Sequence, residues 1–565
     1  MTQNSQSALR AALVVVFTFL VVTPLSAVGA ERAPGKAAVA SAHPLASQAG
    51  LDILAQGGNA FDAAVAVAAA LAVVEPSGSG LGGGGFILIH RASDGLNSMI
   101  DARETAPGAA TRDMYLDAQG NPVPKLSLDS ALAAGIPGEP AGLGLLASKY
   151  GRLPLATSLQ PAIHLARDGF PLYERLQESI SGKQRLIKLS PASARVFLKN
   201  GEVPPLGYVI KQPDLAKTLQ LIADKGVDAF YKGPFAQKLV AGVRKLGGIW
   251  SEQDLADYRA VERPPIIGEY RGARIISASP PASGGIALVD ALNILEAYDL
   301  KSLDAVTRIH VVVEAMRRMH RDRALYLGDP DFVKIPVERL TSKFYADGQR
   351  SSLRLDRATP SEMLPSDAIT AAQGMHTTHY SILDKDGNRV ATTITLNLGL
   401  GTGIVVPGTG LLLNNEMDDF SVKPGTPNAY QLIGAEANAI APGKRPLSSS
   451  APAFVETDRG VMITGTPGGS FIIGAVLLSA LDFMDGKSAT DIVSAPRFHH
   501  QYFPDVIMYE PGALTPEQLK ALGDRGHKLR EGRRYGNLQV VTWDYATGEV
   551  QAASDPRGAG KGLVQ

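Results

Sequence analysis

Thr377-Thr378-His379-Tyr380-Ser381-Ile382-Leu383-Asp384-Lys385-Asp386-Gly387-Asn388-Arg389-Val390-Ala391-Thr392-Thr393-Ile394-Thr395-Leu396-Asn397 is the stretch from which the rest of the chain can be read. Two runs rich in β-branched residues flank Asp384 to Asn388, which is turn chemistry, so the stretch predicts a β-hairpin. The strand period of two puts Thr393 and Thr395 on one face of the returning strand. Upstream, residues 351–376 lack periodicity and carry Pro360, Ser361, Pro365, Ser366 and Gly374, which predicts an exposed tether. A hydroxyl residue opening a strand behind such a tether predicts a cut between His376 and Thr377. Thr377 would then carry a hydroxyl and a free α-amino group together.

That combination has a chemical use. A Thr hydroxyl is a weak nucleophile until a base takes its proton, and an N-terminal amine can be that base. The unperturbed pKa of an α-amine, about 7.7–8.0, leaves a useful neutral fraction near neutral pH. β-Branching restricts χ1, so the hydroxyl is aimed at small entropic cost. On pattern alone, an ordinary Thr-rich hairpin without chemistry accounts for the stretch equally well.

The stretch resembles the start of the small subunit of γ-glutamyltranspeptidases, a family of N-terminal-nucleophile hydrolases. Thr377, His379, Ser381, Gly387, Asn388, Val390, Thr393, Thr395 and Asn397 carry the resemblance. It departs at Leu400, which precedes Gly401 where the family commonly has an aromatic.

The chain has 565 residues, enough for a sizeable core, with 45% hydrophobic and 19% charged residues, as in a globular protein. Its formal net charge of zero argues against a general nucleic-acid binder. With no cysteine, disulfides, thiolate chemistry and Cys-ligated zinc are excluded. Arg10 precedes an apolar run over residues 11–22, followed by Pro24 and the small residues Ala27-Val28-Gly29-Ala30. This reads as a signal peptide over residues 1–30, too short to span a bilayer comfortably, so a periplasmic or secreted protein is expected, with no membrane contact once the signal is removed. An uncleaved N-terminal anchor is the alternative.

Along the chain, residues 45–55 and 61–74 are Ala-rich helical patterns separated by Gly57-Gly58-Asn59, the second apolar nearly all round and so expected to be buried. The glycine block over residues 78–85 formally contains a dinucleotide fingerprint, but a helix precedes it and a strand follows, the reverse of what that motif needs. Its glycines instead predict close passage of backbone. Residues 130–350 read as mainly helical scaffold, including a long helix over 304–327 whose Arg and His residues are expected on a solvated or partner-facing side. There is no Gly-x-Ser-x-Gly elbow and no His-Glu-x-x-His, and Gly486-Lys487-Ser488 lacks the upstream glycine of a P-loop. His499 and His500 are expected to be structural.

The remaining site residues follow from the resemblance. It assigns Arg103 to the α-carboxylate of a glutamyl donor, and Glu416 and Asp419 to its α-amino group. Asn397 is assigned a donor-site hydrogen bond, and Ser448 and Ser449 a contact to the donor carboxylate. Tyr430 falls in a lid segment over residues 423–437, and Gly468 and Gly469 form the oxyanion hole. Thr395 steadies the nucleophile. The implied fold is α+β, an N-terminal-nucleophile αββα four-layer sandwich built from both products of self-cleavage, a large subunit of 31–376 and a small one of 377–565. The implied activity is γ-glutamyl transfer from glutathione and related compounds to water, amino acids or peptides, with no cofactor and no metal. A cephalosporin (glutaryl) acylase of the same fold, a poly-γ-glutamate transferase and a non-catalytic secreted binding protein are the alternatives.

Overall fold

Strands Thr378–Leu383 and Arg389–Thr395 pair antiparallel, forming the expected hairpin. Asp384 builds its turn: its carboxylate accepts from Asp386 N at 2.9 Å, Asn388 N at 2.9 Å and Asn388 Nδ2 at 2.7 Å. The same carboxylate accepts from Ala60 N at 2.9 Å, which ties the turn to the start of helix Ala60–Val74. In this computed structural model, residues 33–364, 377–423, 425–430, 432 and 434–565 are described. The expected signal peptide at 1–30, His376 before the expected cut and Pro424 in the lid segment lie outside the described residues.

The hairpin is the centre of a seven-stranded sheet. Its order is Lys561–Val564, Ala38–Ser41, Thr378–Leu383, Arg389–Thr395, Gly84–Arg91, Leu96–Ala102, Val261–Arg263, each neighbour antiparallel. A second, six-stranded sheet runs Val550–Ser554, Gln539–Asp544, Gly460–Gly465, Ala453–Thr457, Ala273–Ser277, Ile266–Tyr270, again antiparallel throughout. Strands from both sides of position 377 alternate in the two sheets, so neither expected subunit could complete a sheet alone.

Alternation along the strands divides the apolar residues into layers. Phe86, Leu88, Leu383 and Ala391 pack between the sheets against Ile276, Phe454, Ile463, Val541 and Trp543. Ile87, Ile89, Tyr380, Ile382 and Val390 face outward into a core shared with helices Pro44–Ala55, Ala60–Val74, Glu139–Tyr150 and Leu155–Asp168. On the far side, Ile275, Val455, Met462 and Val540 pack against helices Gly284–Leu295, Ala305–Tyr326 and Phe471–Met484. The result is the four-layer αββα sandwich within one unit, Pro34–Gln565. Every residue of helix Ala60–Val74 is buried, as its apolar sequence predicts. Each Val or Leu so buried contributes roughly 1.5–3 kcal/mol.

The glycine block does let backbone pass closely: a Cβ on Gly83 would stand 1.9 Å from the Thr395 carbonyl oxygen. Strand Gly84–Arg91 therefore lies flush against the hairpin strand that ends beside the nucleophile.

Two expectations differ from the structure. On helix Ala305–Tyr326, His310, Arg317, Arg318, His320 and Arg323 are buried, not solvated. Glu314 on the same helix pairs with Arg317 and Arg318, and Asp505 pairs with Arg317, so these charges enter the core with partners. The first half of the tether is also anchored. Ser361 is buried; its hydroxyl accepts from Arg317 at 2.6 Å and donates to the Tyr502 carbonyl at 2.7 Å. Residues 351–364 are thus held to the sandwich, and the polar composition that suggested a loose segment serves buried hydrogen bonds.

Candidate active site

Thr377 immediately precedes its strand, and one further step of the hairpin register sets it opposite Thr395. Their hydroxyl oxygens are 3.2 Å apart, and both residues are buried. Asn397 N donates to Thr395 Oγ1 at 2.8 Å, which occupies an acceptor position and leaves the Thr395 proton available to Thr377. Asn397 has a left-handed backbone, φ +72°. This turns its amide side chain inward, where Nδ2 donates to the Asn415 carbonyl at 2.8 Å.

All of the residues singled out above except Gly468 line one cavity, joined by Leu432, Ser450 and Ile472. Its free space is only ≈ 20 Å³, about what one water needs. Tyr430 closes it: the ring lies over Gly469, where a Cβ would stand 2.1 Å from a ring carbon, and the hydroxyl donates to the Asn397 carbonyl at 2.5 Å. The lid segment is fastened on either side by Asn438 Nδ2, which donates to the Asp419 carbonyl at 2.7 Å, and by an Arg112–Glu436 ion pair at 2.9 Å. Among the described residues, Asn397 Oδ1, Glu416 Oε2 and Ser449 Oγ are buried without a hydrogen-bond partner. Buried polar atoms normally have partners, so three orphans around one cavity mark a binding surface.

The charges are concentrated on one side. Arg103, just past strand Leu96–Ala102, bonds through Nη1 to Glu416 and through Nη2 to Asp419 at 2.6 Å. Its Nε donates to the Pro446 carbonyl at 3.1 Å, and Glu104 lies 3.6 Å from Nη1. Burial works against the charge on Arg103, but Glu416, Asp419 and Glu104 outweigh it and hold its pKa up. Burial raises Glu416 and Asp419 while Arg103 opposes that rise. Glu104, both of whose carboxyl oxygens lack a partner, is pushed by burial up to about 7.

Strand Gly460–Gly465 and helix Phe471–Met484 are joined by a turn in which Gly468 and Gly469 adopt φ +138° and +56°. The turn sits at a helix N-terminus, whose exposed N–H groups suit developing negative charge. Ser448 Oγ donates to Ser450 Oγ at 3.0 Å beside the orphan Ser449 hydroxyl.

A family model for γ-glutamyltranspeptidase matches residues 46–564. The chain is 46% identical over 525 residues to the glutathione hydrolase proenzyme of Escherichia coli (strain K12), covering 92% of this chain and 90% of that relative. The chain belongs to the γ-glutamyltranspeptidase family. Among solved structures, a cephalosporin acylase from Bacillus halodurans superimposes with a TM-score of 0.82 at 29% identity, covering 94% of this chain and 96% of the acylase. The Helicobacter pylori γ-glutamyltranspeptidase gives 0.56 at 44% identity, covering 57% of this chain and 94% of that one.

For a γ-glutamyltranspeptidase, several polar residues at the site were not legible in sequence. Glu75, whose carboxylate accepts from the Thr378 hydroxyl, sits directly behind the nucleophile. Glu139 is fully buried with both oxygens unpartnered, and burial with nearby Glu104 pushes it up to about 8. Neither residue has a sequence signal beyond an acid at a helix end. His499 and His500 are buried and kept neutral, burial lowering them to about 3 and about 4. His310, Glu314 and His527 bring potential metal ligands within 4.8 Å of one another. Glu314, however, is ion-paired to Arg317 and Arg318, and His310 Nδ1 bonds His527 Nε2 at 2.7 Å, so the group serves the core.

Proposed function

We propose that this chain is a self-processing γ-glutamyltransferase and glutathione hydrolase. The observation that carries the reading is one cavity lined by a hydroxyl pair, a glycine turn at a helix N-terminus and a guanidinium set against two acids. Only a substrate end bearing both a carboxylate and an ammonium makes use of both signs. The α-carboxylate of a γ-glutamyl donor goes to Arg103, with hydrogen bonds from Ser448 and Ser449; its α-ammonium goes to Glu416 and Asp419, with Asn397 alongside.

Maturation begins when Thr377 Oγ1 attacks the carbonyl carbon of His376, the peptide C–N bond breaks, and water hydrolyses the resulting ester. Residues 31–376 and 377–565 are the two products, and Thr377 gains its free amine. In turnover, that amine takes the hydroxyl proton as Oγ1 attacks the donor's γ-carbonyl, while Thr395 orients the hydroxyl. The Gly468 and Gly469 N–H groups receive the oxyanion; removing one such donor from an acyl-transfer site typically costs about 10²–10³ in rate. The leaving amine departs with a proton, and the γ-glutamyl ester passes its acyl group to water, an amino acid or a peptide. Tyr430 keeps solvent from the ester while the lid is closed.

The signal-like leader supports export to the periplasm or medium, and among the described residues no helix is long and apolar enough to cross a membrane. The likeness to a cephalosporin acylase favours a second reading, hydrolysis of a glutaryl amide. That substrate has no ammonium and would leave Glu416 and Asp419 without a counter-charge. The deciding experiment compares γ-glutamyl-p-nitroanilide and glutaryl-p-nitroanilide on purified protein. Release of p-nitroaniline mainly from the γ-glutamyl compound, with acceleration by an added dipeptide, is expected; preference for the glutaryl compound refutes the proposal.

A further inference from the structure

Arg323, in the last turn of helix Ala305–Tyr326, is 4% exposed yet forms no ion pair with any described residue. Arg317 and Arg318, on the same helix, both pair with Glu314. Instead, Arg323 Nε donates to Ser283 Oγ at 3.0 Å. That hydroxyl donates to the Ser448 carbonyl at 2.7 Å, and Ser283 N donates to the same oxygen at 2.8 Å. The guanidinium is thereby tied to the serine run that lines the cavity. Burial lowers its pKa to about 10, which leaves it a cation at neutral pH; Asp419 favours its charge and Arg103 opposes it.

The charge count at the donor subsite gives this placement a purpose. Arg103 alone faces Glu416, Asp419 and Glu104, and its N–H groups are already committed to Glu416, Asp419 and the Pro446 carbonyl. A donor α-carboxylate that takes Arg103 must displace those acids. A buried carboxylate that loses its cation takes up a proton or pays a large desolvation cost, and a neutral Asp419 would no longer hold an ammonium. Arg323 is the second guanidinium acting on Asp419.

We propose that Arg323 is a positioning residue of the donor subsite, keeping Asp419 anionic and turned to the donor's α-ammonium while Arg103 is given to the α-carboxylate. The assignment rests on the γ-glutamyl reading above. It separates two jobs that the free site gives to one arginine.

The test uses processed wild type, Arg323→Met and Arg323→Lys, with γ-glutamyl-p-nitroanilide as substrate and L-glutamate and glutarate as competing inhibitors. Glutarate keeps the carboxylates and lacks the ammonium. Arg323→Met is expected to raise KM and the L-glutamate inhibition constant about tenfold or more. It should leave kcat within about threefold, and shift the glutarate constant by less than about threefold. Arg323→Lys, which restores the charge, should recover most of the loss. Unchanged L-glutamate inhibition overturns the proposal, as does equal weakening of both inhibitors, which would indicate a packing defect. If Arg323→Met yields no processed protein, Arg323→Gln, which can still donate to Ser283, is judged by the same two results. A wild type that ignores the γ-glutamyl anilide refutes the γ-glutamyl reading, whereas an active wild type with an indifferent variant refutes only the role of Arg323.

Discussion

Replacing Arg103 with Met tests whether the buried guanidinium holds the donor. In the structure it makes charge-assisted bonds to Glu416 and, at 2.6 Å, to Asp419, and in the proposed complex the donor α-carboxylate takes over that fork. A hydrogen bond to a charged group is worth about 1.5–3 kcal/mol, so losing a two-pronged contact costs about 3–6 kcal/mol. The acids released from Arg103 can take up protons, which recovers part of the loss. The lower half of the range, about 3–4 kcal/mol, therefore applies, a fall of about 10²–10³ in kcat/KM. Because Arg103 touches the donor away from the reacting carbonyl, the loss should appear mainly in KM. Unlike the Arg323 variants, Arg103→Met should weaken L-glutamate and glutarate alike, since both present a carboxylate. The assay is steady-state turnover of γ-glutamyl-p-nitroanilide, with appearance of two chains on a denaturing gel as the folding control. A processed Arg103→Met protein whose KM stays within about threefold of wild type would refute the reasoning.

Gly469→Ala places a Cβ 2.1 Å from the Tyr430 ring and puts a side chain at φ +56°, a backbone cost of roughly 1–2 kcal/mol. The lid tyrosine must move and the oxyanion turn shifts, so a fall in kcat of about tenfold or more is expected in stopped-flow acylation; wild-type kinetics would exclude the glycine from the site. Glu139→Gln addresses pH. With its folded pKa raised from 4.5 to about 8, the native protein holds a proton that the unfolded chain releases, so this group's contribution to stability declines as pH rises through that window. The variant should gain more in unfolding midpoint at about pH 8.5 than at about pH 5.5, and an equal effect at both would contradict the assignment.

Where local chemistry decides the structure, the sequence is a sufficient guide. The hairpin follows from Asp384 and Asn388 in its turn, the buried helix from the unbroken apolar run of Ala60–Val74, and the close glycine block from its lack of side chains. Arg103, Glu416 and Asp419 were found through the family resemblance, because 313 residues separate Arg103 from Glu416 and no local pattern links them. The sequence fails as a guide where burial is set by distant partners. Arg317 and Arg318 look like a solvated face until Glu314 and Asp505 are seen beside them, and Ser361 looks like a linker residue until Arg317 and Tyr502 are seen around it. Glu104 and Glu139 carry no pattern at all; their raised pKa values come from the sandwich closing over them.

The central claim is that Thr377 becomes an N-terminal residue and acts through its own hydroxyl and amine. Intact-mass spectrometry of the purified, active protein tests it directly. The account predicts two polypeptides, the smaller beginning at Thr377 and ending at Gln565. A single continuous chain that still turns over γ-glutamyl-p-nitroanilide, or a smaller chain with a different first residue, would contradict it.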